Sequence, residues 1–209
     1  MTDPIVEAPP LPEWLAKSLH YPTLTGAAPL PAEVKCHFDG LCEPFNPGGV
    51  TTLAWAVLHP DGTTLREFHA VLAHGGERAT NNWGEWAAFG TLLRYVTDDP
   101  AVRKVWVSGD SLLVVNQFNG DWAARAPHLI ELRDRAREIA AAFRARGGEL
   151  TVRHVVRAEN TAADALSEKA FFAYAEATNR PALVAQFRKE QARRATLKAA
   201  KAPRPNPPR

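Results

Sequence analysis

Val34-Lys35-Cys36-His37-Phe38-Asp39 is an apolar run that closes on an acid, and Val105-Trp106-Val107-Ser108-Gly109-Asp110 repeats the arrangement later in the chain. Both read as buried strands that give way to loops with a carboxylate at the exit. A desolvated acid persists in such a place only if something positive faces it. No lysine or arginine is set aside nearby in sequence for either one, which makes a divalent cation the natural partner.

Working outward from these two strands, Thr51 to Leu58 reads as a second strand and Leu65 to Leu72 as a third. The Pro60-Asp61-Gly62 turn between them marks a hairpin. A helix is predicted from about Asn81 to Thr97, then a strand over Lys104 to Gly109, a short helix over Ser111 to Phe118 and a longer one from Pro127 to Ala145, closed by Gly147-Gly148. A fifth strand covers Leu150 to Arg157, and a last helix starts after Asn160, a residue suited to N-capping. A meander followed by strand-helix alternation gives an α/β fold. It predicts a five-stranded mixed sheet, its first three strands antiparallel, with helices on both faces.

Composition sets the outer limits. The chain has 209 residues, 45% hydrophobic and 23% charged, with a formal charge of +2, as expected for one globular domain with extensions. No apolar stretch approaches the ~20 residues of a membrane span, and the N-terminus lacks the pattern of a signal peptide, so a cytoplasmic protein without membrane contact is expected. The two cysteines, Cys36 and Cys42, make neither a disulfide framework nor a zinc signature; Cys36 reads as a core strand residue and Cys42 as a loop residue. Residues 1–32 form a proline-rich N-terminal extension with one short helix expected from Pro12 to about His20. Residues 33–178 form the main domain, and residues 179–209 a basic C-terminal tail. From Arg180 to Arg209 nine basic residues face the single acid Glu190, a net of +8 that leaves the rest of the chain at −6. A helix is expected there from Pro181 to Lys201, apolar at Leu183, Val184 and Phe187, and the tail is expected to anchor a polyanion that the acidic body would repel.

Two more acids join Asp39 and Asp110. Glu85 shares a helical stripe with Ala88, Phe89 and Leu92, so its carboxylate continues an apolar face. Asp164 falls in the first turns of the last helix. Each has an ordinary explanation: Asp39 in an Asp-Gly turn, Asp110 as a helix cap, Asp164 as an offset to the helix dipole. Four together, at the carboxyl ends of two strands and on two helices packed over them, are better explained by oxygen ligation of magnesium or manganese.

At this point the sequence resembles a type 1 ribonuclease H, a variant without the basic protrusion. The resemblance rests on four ordered blocks: His37-Phe38-Asp39-Gly40 with Asn46-Pro47-Gly48-Gly49, Ala79-Thr80-Asn81-Asn82-Trp83-Gly84-Glu85, Ser108-Gly109-Asp110-Ser111 with Leu113-Val114-Val115-Asn116-Gln117, and Arg157-Ala158-Glu159-Asn160-Thr161-Ala162-Ala163-Asp164. It implies a metal-dependent endonuclease that hydrolyses the RNA strand of an RNA/DNA hybrid to 5′-phosphate and 3′-hydroxyl ends. Asp39, Glu85, Asp110 and Asp164 would hold two ions, Mg2+ or Mn2+, one for the attacking water and one for the leaving oxygen. It further implies that Gly40, Asn81 and Asn82 read the 2′-hydroxyl while Thr80 and Ser111 touch the DNA strand.

The resemblance also implies an auxiliary residue before the last acid; Arg157, at the end of the predicted strand, is placed ahead of His154 within it, with neither as the remaining alternative. Trp83 and Trp86 read as core or rim aromatics. The chain is expected to act as a monomer. Two rival readings are a non-catalytic hybrid-binding module and a 3′-5′ exonuclease of the same superfamily. The second needs a D-x-E pair where this chain has Asp39-Gly40-Leu41.

Overall fold

The computed structural model describes residues 29–201, with side chains described to residue 197. The helix expected over residues 12–20 lies outside the described residues. Five strands form one sheet in the order β3-β2-β1-β4-β5. The antiparallel part is β1 (Glu33–Glu43), β2 (Val50–Leu58) and β3 (Thr64–His74); β4 (Lys104–Gly109) and β5 (Glu149–His154) add in parallel. The helices are α1 (Asn81–Asp98), α2 (Leu112–Asn119), α3 (Pro127–Ala145), α4 (Thr161–Ala177) and α5 (Pro181–Lys201), with a 3-10 turn at Arg157–Glu159 before α4.

Strand alternation divides the core into two layers. On one face Val34, Cys36 and Phe38 of β1 and Leu53, Trp55 and Val57 of β2 pack against Trp86, Phe89 and Leu92 of α1, with α3 behind. On the other face the small residues Ala54 and Ala56 admit α4 through Leu166, and Leu41 and Val50 meet Phe171.

Two strand boundaries differ from the sequence reading by three residues or more. β1 does not end at Asp39 but runs on to Glu43, so Asp39 lies within the strand opposite Ala54, and Cys42 is a buried strand residue. Gly40 faces the helix Asn81–Asp98 and Leu41 the opposite layer, so the period of two continues and Gly40 does not break the strand. β5 stops at His154, so Arg157 belongs to the following turn.

The difference at β1 shapes the site. β4 pairs with β1 only as far as Phe38↔Gly109, one residue short of Asp39. Beyond that point β1 pairs, among the described residues, with β2 alone, and its last residues line a cleft.

The basic segment contributes a docked helix. Phe187 of α5 is buried, with its ring stacked 4.8 Å from that of Phe171, and Leu183 closes the same cluster beside Leu41 and Val50. No helix among the described residues is long and apolar enough to cross a membrane.

Candidate metal and nucleic-acid site

Asp39, Glu85 and Asp110 come from β1, α1 and the residue after β4, and each offers a carboxylate oxygen within 4.8 Å of the others. Glu85 reaches the sheet because α1 crosses it with two glycines face to face. A Cβ on Gly40 would overlap the backbone of Gly84 and Glu85, and one on Gly84 would lie 2.5 Å from the Thr52 carbonyl oxygen. Asp164, in the first turn of α4, lines the same cleft, but its Oδ1 accepts from Arg157 Nη2. Three of the four predicted acids therefore converge, and the fourth stands beside them tied to an arginine.

Two residues that sequence reasoning had not placed here hold the acids. Asn160 occupies the N-cap position of α4 but makes no side-chain capping bond. Fully buried, it spends its amide on the Phe38 carbonyl at 2.9 Å and on Asp110 Oδ1 at 2.8 Å. Its Oδ1 lies 3.2 Å from His37 Nδ1, so His37 must donate there for the amide to keep this orientation. Ser167, one turn along α4 from Asp164, donates its hydroxyl to Asp39 Oδ2, with the Asp164 carbonyl as the alternative acceptor. The signal in sequence was spacing: Asn160, Asp164 and Ser167 share one face of a helix packed on β1.

The electrostatics of the cluster call for a cation. Burial pushes Asp39 up to about 7, with the charges of Asp110 and Asp164 adding to the shift. Burial likewise raises Glu85 well above the usual carboxylate range, reinforced by Asp39 and Asp110, and raises Asp164 despite Arg157. Glu85 Oε1 accepts from Asn81 Nδ2 at 3.4 Å, whereas its buried Oε2 has no hydrogen-bond partner among the described residues. An unpartnered buried carboxylate oxygen among hard oxygen donors fits a divalent ion such as Mg2+ or Mn2+.

A pH dependence follows. A carboxyl raised from 3.8 to about 7 keeps its proton in the folded state where the unfolded chain has lost it. Stability from this group is complete at low pH and is lost as pH rises through that interval, at ~1.4 kcal/mol per pH unit and proton. His37, His69, His74 and His128, all lowered chiefly by burial, act in the opposite sense. The clean readout is therefore the gain in Tm on adding Mg2+ or Mn2+ to chelator-stripped protein. That gain should be larger at pH 8 than at pH 5.5, since the ion binds the deprotonated acids. A gain equal at both pH values, or none, would refute a metal role for this cluster.

The remaining predicted residues fall on both sides of the cleft. Gly40, Asn81, Asn82, Ser111 and Arg157 line it with the four acids. Thr80, and not Asn81, is the N-cap of α1, accepting from the Trp83 amide at 3.2 Å, which leaves the Asn81 side chain free to turn toward Glu85. Ser111 caps α2 through the Val114 amide at 3.4 Å, so Asp110 is released from the capping duty that sequence alone allowed it. His154 ends β5, paired with Gly109 and exposed. Trp86 is buried, its Nε1 donating to Gln117 at 3.1 Å, and Trp83 packs on the same core.

Comparison with known proteins points one way. The family described as reverse transcriptase-like matches residues 37–170. Ribonuclease HI of Halobacterium salinarum is 34% identical over 140 residues, 66% of this chain and 63% of that protein, so this chain spans somewhat under two thirds of that relative's length. Among solved structures, the N-terminal RNase H domain of Rv2228c from Mycobacterium tuberculosis, a fusion with maltose-binding protein, superposes with a TM-score of 0.60. It is 29% identical over 70% of this chain and 99% of that one. LC11-RNase H1, solved in complex with an RNA/DNA hybrid, gives a TM-score of 0.53 and 26% identity over 66% of this chain and 96% of that one.

Proposed function

The chain belongs to the type 1 ribonuclease H family, and we propose that it is a metal-dependent endonuclease that cuts the RNA strand of an RNA/DNA hybrid, leaving 5′-phosphate and 3′-hydroxyl ends. The observation that carries this reading is the convergence of Asp39, Glu85 and Asp110 in a cleft whose wall bears the amides of Asn81 and Asn82. Asp39, Glu85, Asp110 and Asp164 would hold two ions, Mg2+ or Mn2+, which when bound supply an activated water and neutralise charge at the scissile phosphate. In this reading residues 33–178 carry the activity, residues 1–32 are an N-terminal extension and residues 179–209 a basic segment.

The protein's own groups prepare that site. Asn160 fixes the rotamer of Asp110 and Ser167 that of Asp39, so two ligand oxygens are aimed before substrate arrives. Asn81 holds Glu85 and, with Asn82 at the start of α1, offers amide donors and acceptors to a 2′-hydroxyl, the group that separates RNA from DNA. Arg157 sits on Asp164 and faces the other acids, placed to exchange its carboxylate for a phosphate as the nucleic acid enters.

The test is one gel assay of RNA/DNA, RNA/RNA, DNA/DNA and single strands with each metal and with chelator. Cleavage confined to the hybrid's RNA strand and abolished by chelator supports the reading; cleavage indifferent to chelator refutes it. Within that assay Arg157→Ala should slow turnover at saturating substrate by about tenfold, or ~1.4 kcal/mol of barrier, and His154→Ala by less than twofold. His154 is held by the sheet outside the cleft, whereas Arg157 touches an acid. A larger effect of His154→Ala would reverse the assignment.

A further inference from the structure

We propose that the cleft contains a second phosphate subsite, built by Arg194 and Gln191 of α5, that grips the hybrid backbone a few nucleotides from the scissile bond. The inference rests on the hydrolase reading above and gives the basic segment a specific place in it.

The cleft does not end at the acids. Its floor continues along β1 from Asp39 through Gly40, Leu41 and Cys42 to Glu43, and its far wall is formed by Phe187, Gln191 and Arg194. Four residues of extended chain span ~13 Å, so a duplex seated at the acids must pass further phosphates over this wall.

Among the described residues lining the cleft two are basic: Arg157 stands at the acids, paired with Asp164, and Arg194 at the other end. Its guanidinium is oriented by two acids: Nη1 and Nη2 donate to the buried Glu43, and Nε to Glu190 Oε1 at 3.2 Å. A guanidinium has five N–H groups, and these bonds use three. The side chain is 52% exposed, and the other two have no partner among the described residues to compete with an incoming anion.

Gln191 is set in the same way, its amide donating to Glu168 Oε1 at 2.9 Å. The helix carrying both is anchored by the buried Phe187, so they are presented on a rigid element. Residues 37–170, which the family match covers, do not include α5, so this wall is an addition to the shared domain.

The experiment measures KM and kcat of the full chain on a short RNA/DNA hybrid over a salt series, with Tm of every variant. Arg194→Ala should raise KM about fivefold at low salt and flatten its log-log salt dependence by about one unit, with kcat within about twofold. Glu43→Gln, which removes the acid opposing the phosphate, should lower KM. If Arg194→Ala is too unstable, Arg194→Gln keeps an amide against Glu43 and gives the same readout.

An unchanged KM and salt slope in a folded Arg194 variant overturns the subsite. So does a parallel rise of KM in Arg194→Ala and Glu43→Gln, which would make the pair a structural clamp. Wild type that neither binds nor cuts the hybrid would instead overturn the hydrolase reading itself, and the subsite with it.

Discussion

Asp110→Asn should reduce hybrid cleavage by roughly three orders of magnitude or more, equivalent to at least ~4 kcal/mol of barrier, while the protein stays folded. The two halves of this expectation have separate physical origins. Loss of activity follows from removing one charge from three oxygens gathered within 4.8 Å, the arrangement that makes the site fit a dication. Retention of the fold follows from Asn160, whose amide donates to Asp110 Oδ1; an asparagine at 110 keeps that acceptor and the side-chain volume. The charge of Asp110 is among the causes that raise both Asp39 and Glu85, so its removal relieves repulsion. Metal-free Asp110→Asn should melt at or slightly above the wild-type temperature and gain less from added Mg2+. Cleavage above a tenth of the wild-type rate would remove Asp110 from the proposed site, and a large drop in metal-free Tm would show that the acid serves the fold.

The sheet and the acids were legible because both are written in short, local patterns. Apolar runs punctuated by Pro60-Asp61-Gly62 and Gly147-Gly148 located strands and turns, and Glu85 on an apolar stripe announced a carboxylate aimed inward. Roles set by long-range partners were less legible. Asn160 looked like an N-cap, which is what its position is; only the approach of Phe38 and Asp110 from distant parts of the chain turns its amide elsewhere. Ser111 took the capping role that the neighbouring Asp110 had been allowed, and Thr80 caps α1, which frees Asp110 and Asn81 for the cleft. The basic segment was visible as charge, yet Phe187 stacking on Phe171 and Arg194 pairing with Glu43 depend on β1 running four residues past its expected end. That extension was hidden because Asp39-Gly40 reads as the start of a turn.

Gly40→Ala should cost both activity and stability, and it separates two reasons for having glycine at this position. As a substrate contact, Gly40 would tolerate a methyl group at the expense of hybrid affinity alone. The structure adds a packing reason: a Cβ there would overlap the amide nitrogen of Glu85 and the carbonyl carbon of Gly84, and lie 2.7 Å from the Glu85 Cα. These are backbone atoms of a helix whose next turns are locked into the core by Trp86 and Phe89, so no side-chain rotation can relieve the contact and α1 must move outward. Overpacking of this kind costs ~1–3 kcal/mol. The displacement falls on Glu85 itself, and a misplacement of about 1 Å in a reacting constellation can cost about 100-fold in rate. The expected result is a lower Tm, kcat reduced about 100-fold and a smaller Tm gain from Mg2+, because Glu85 no longer meets Asp39 and Asp110. A variant with normal Tm and kcat but raised KM would assign Gly40 to substrate contact alone. If the packing reason holds, the glycine is required because it sets the distance between two carboxylates that arrive from a strand and from a helix.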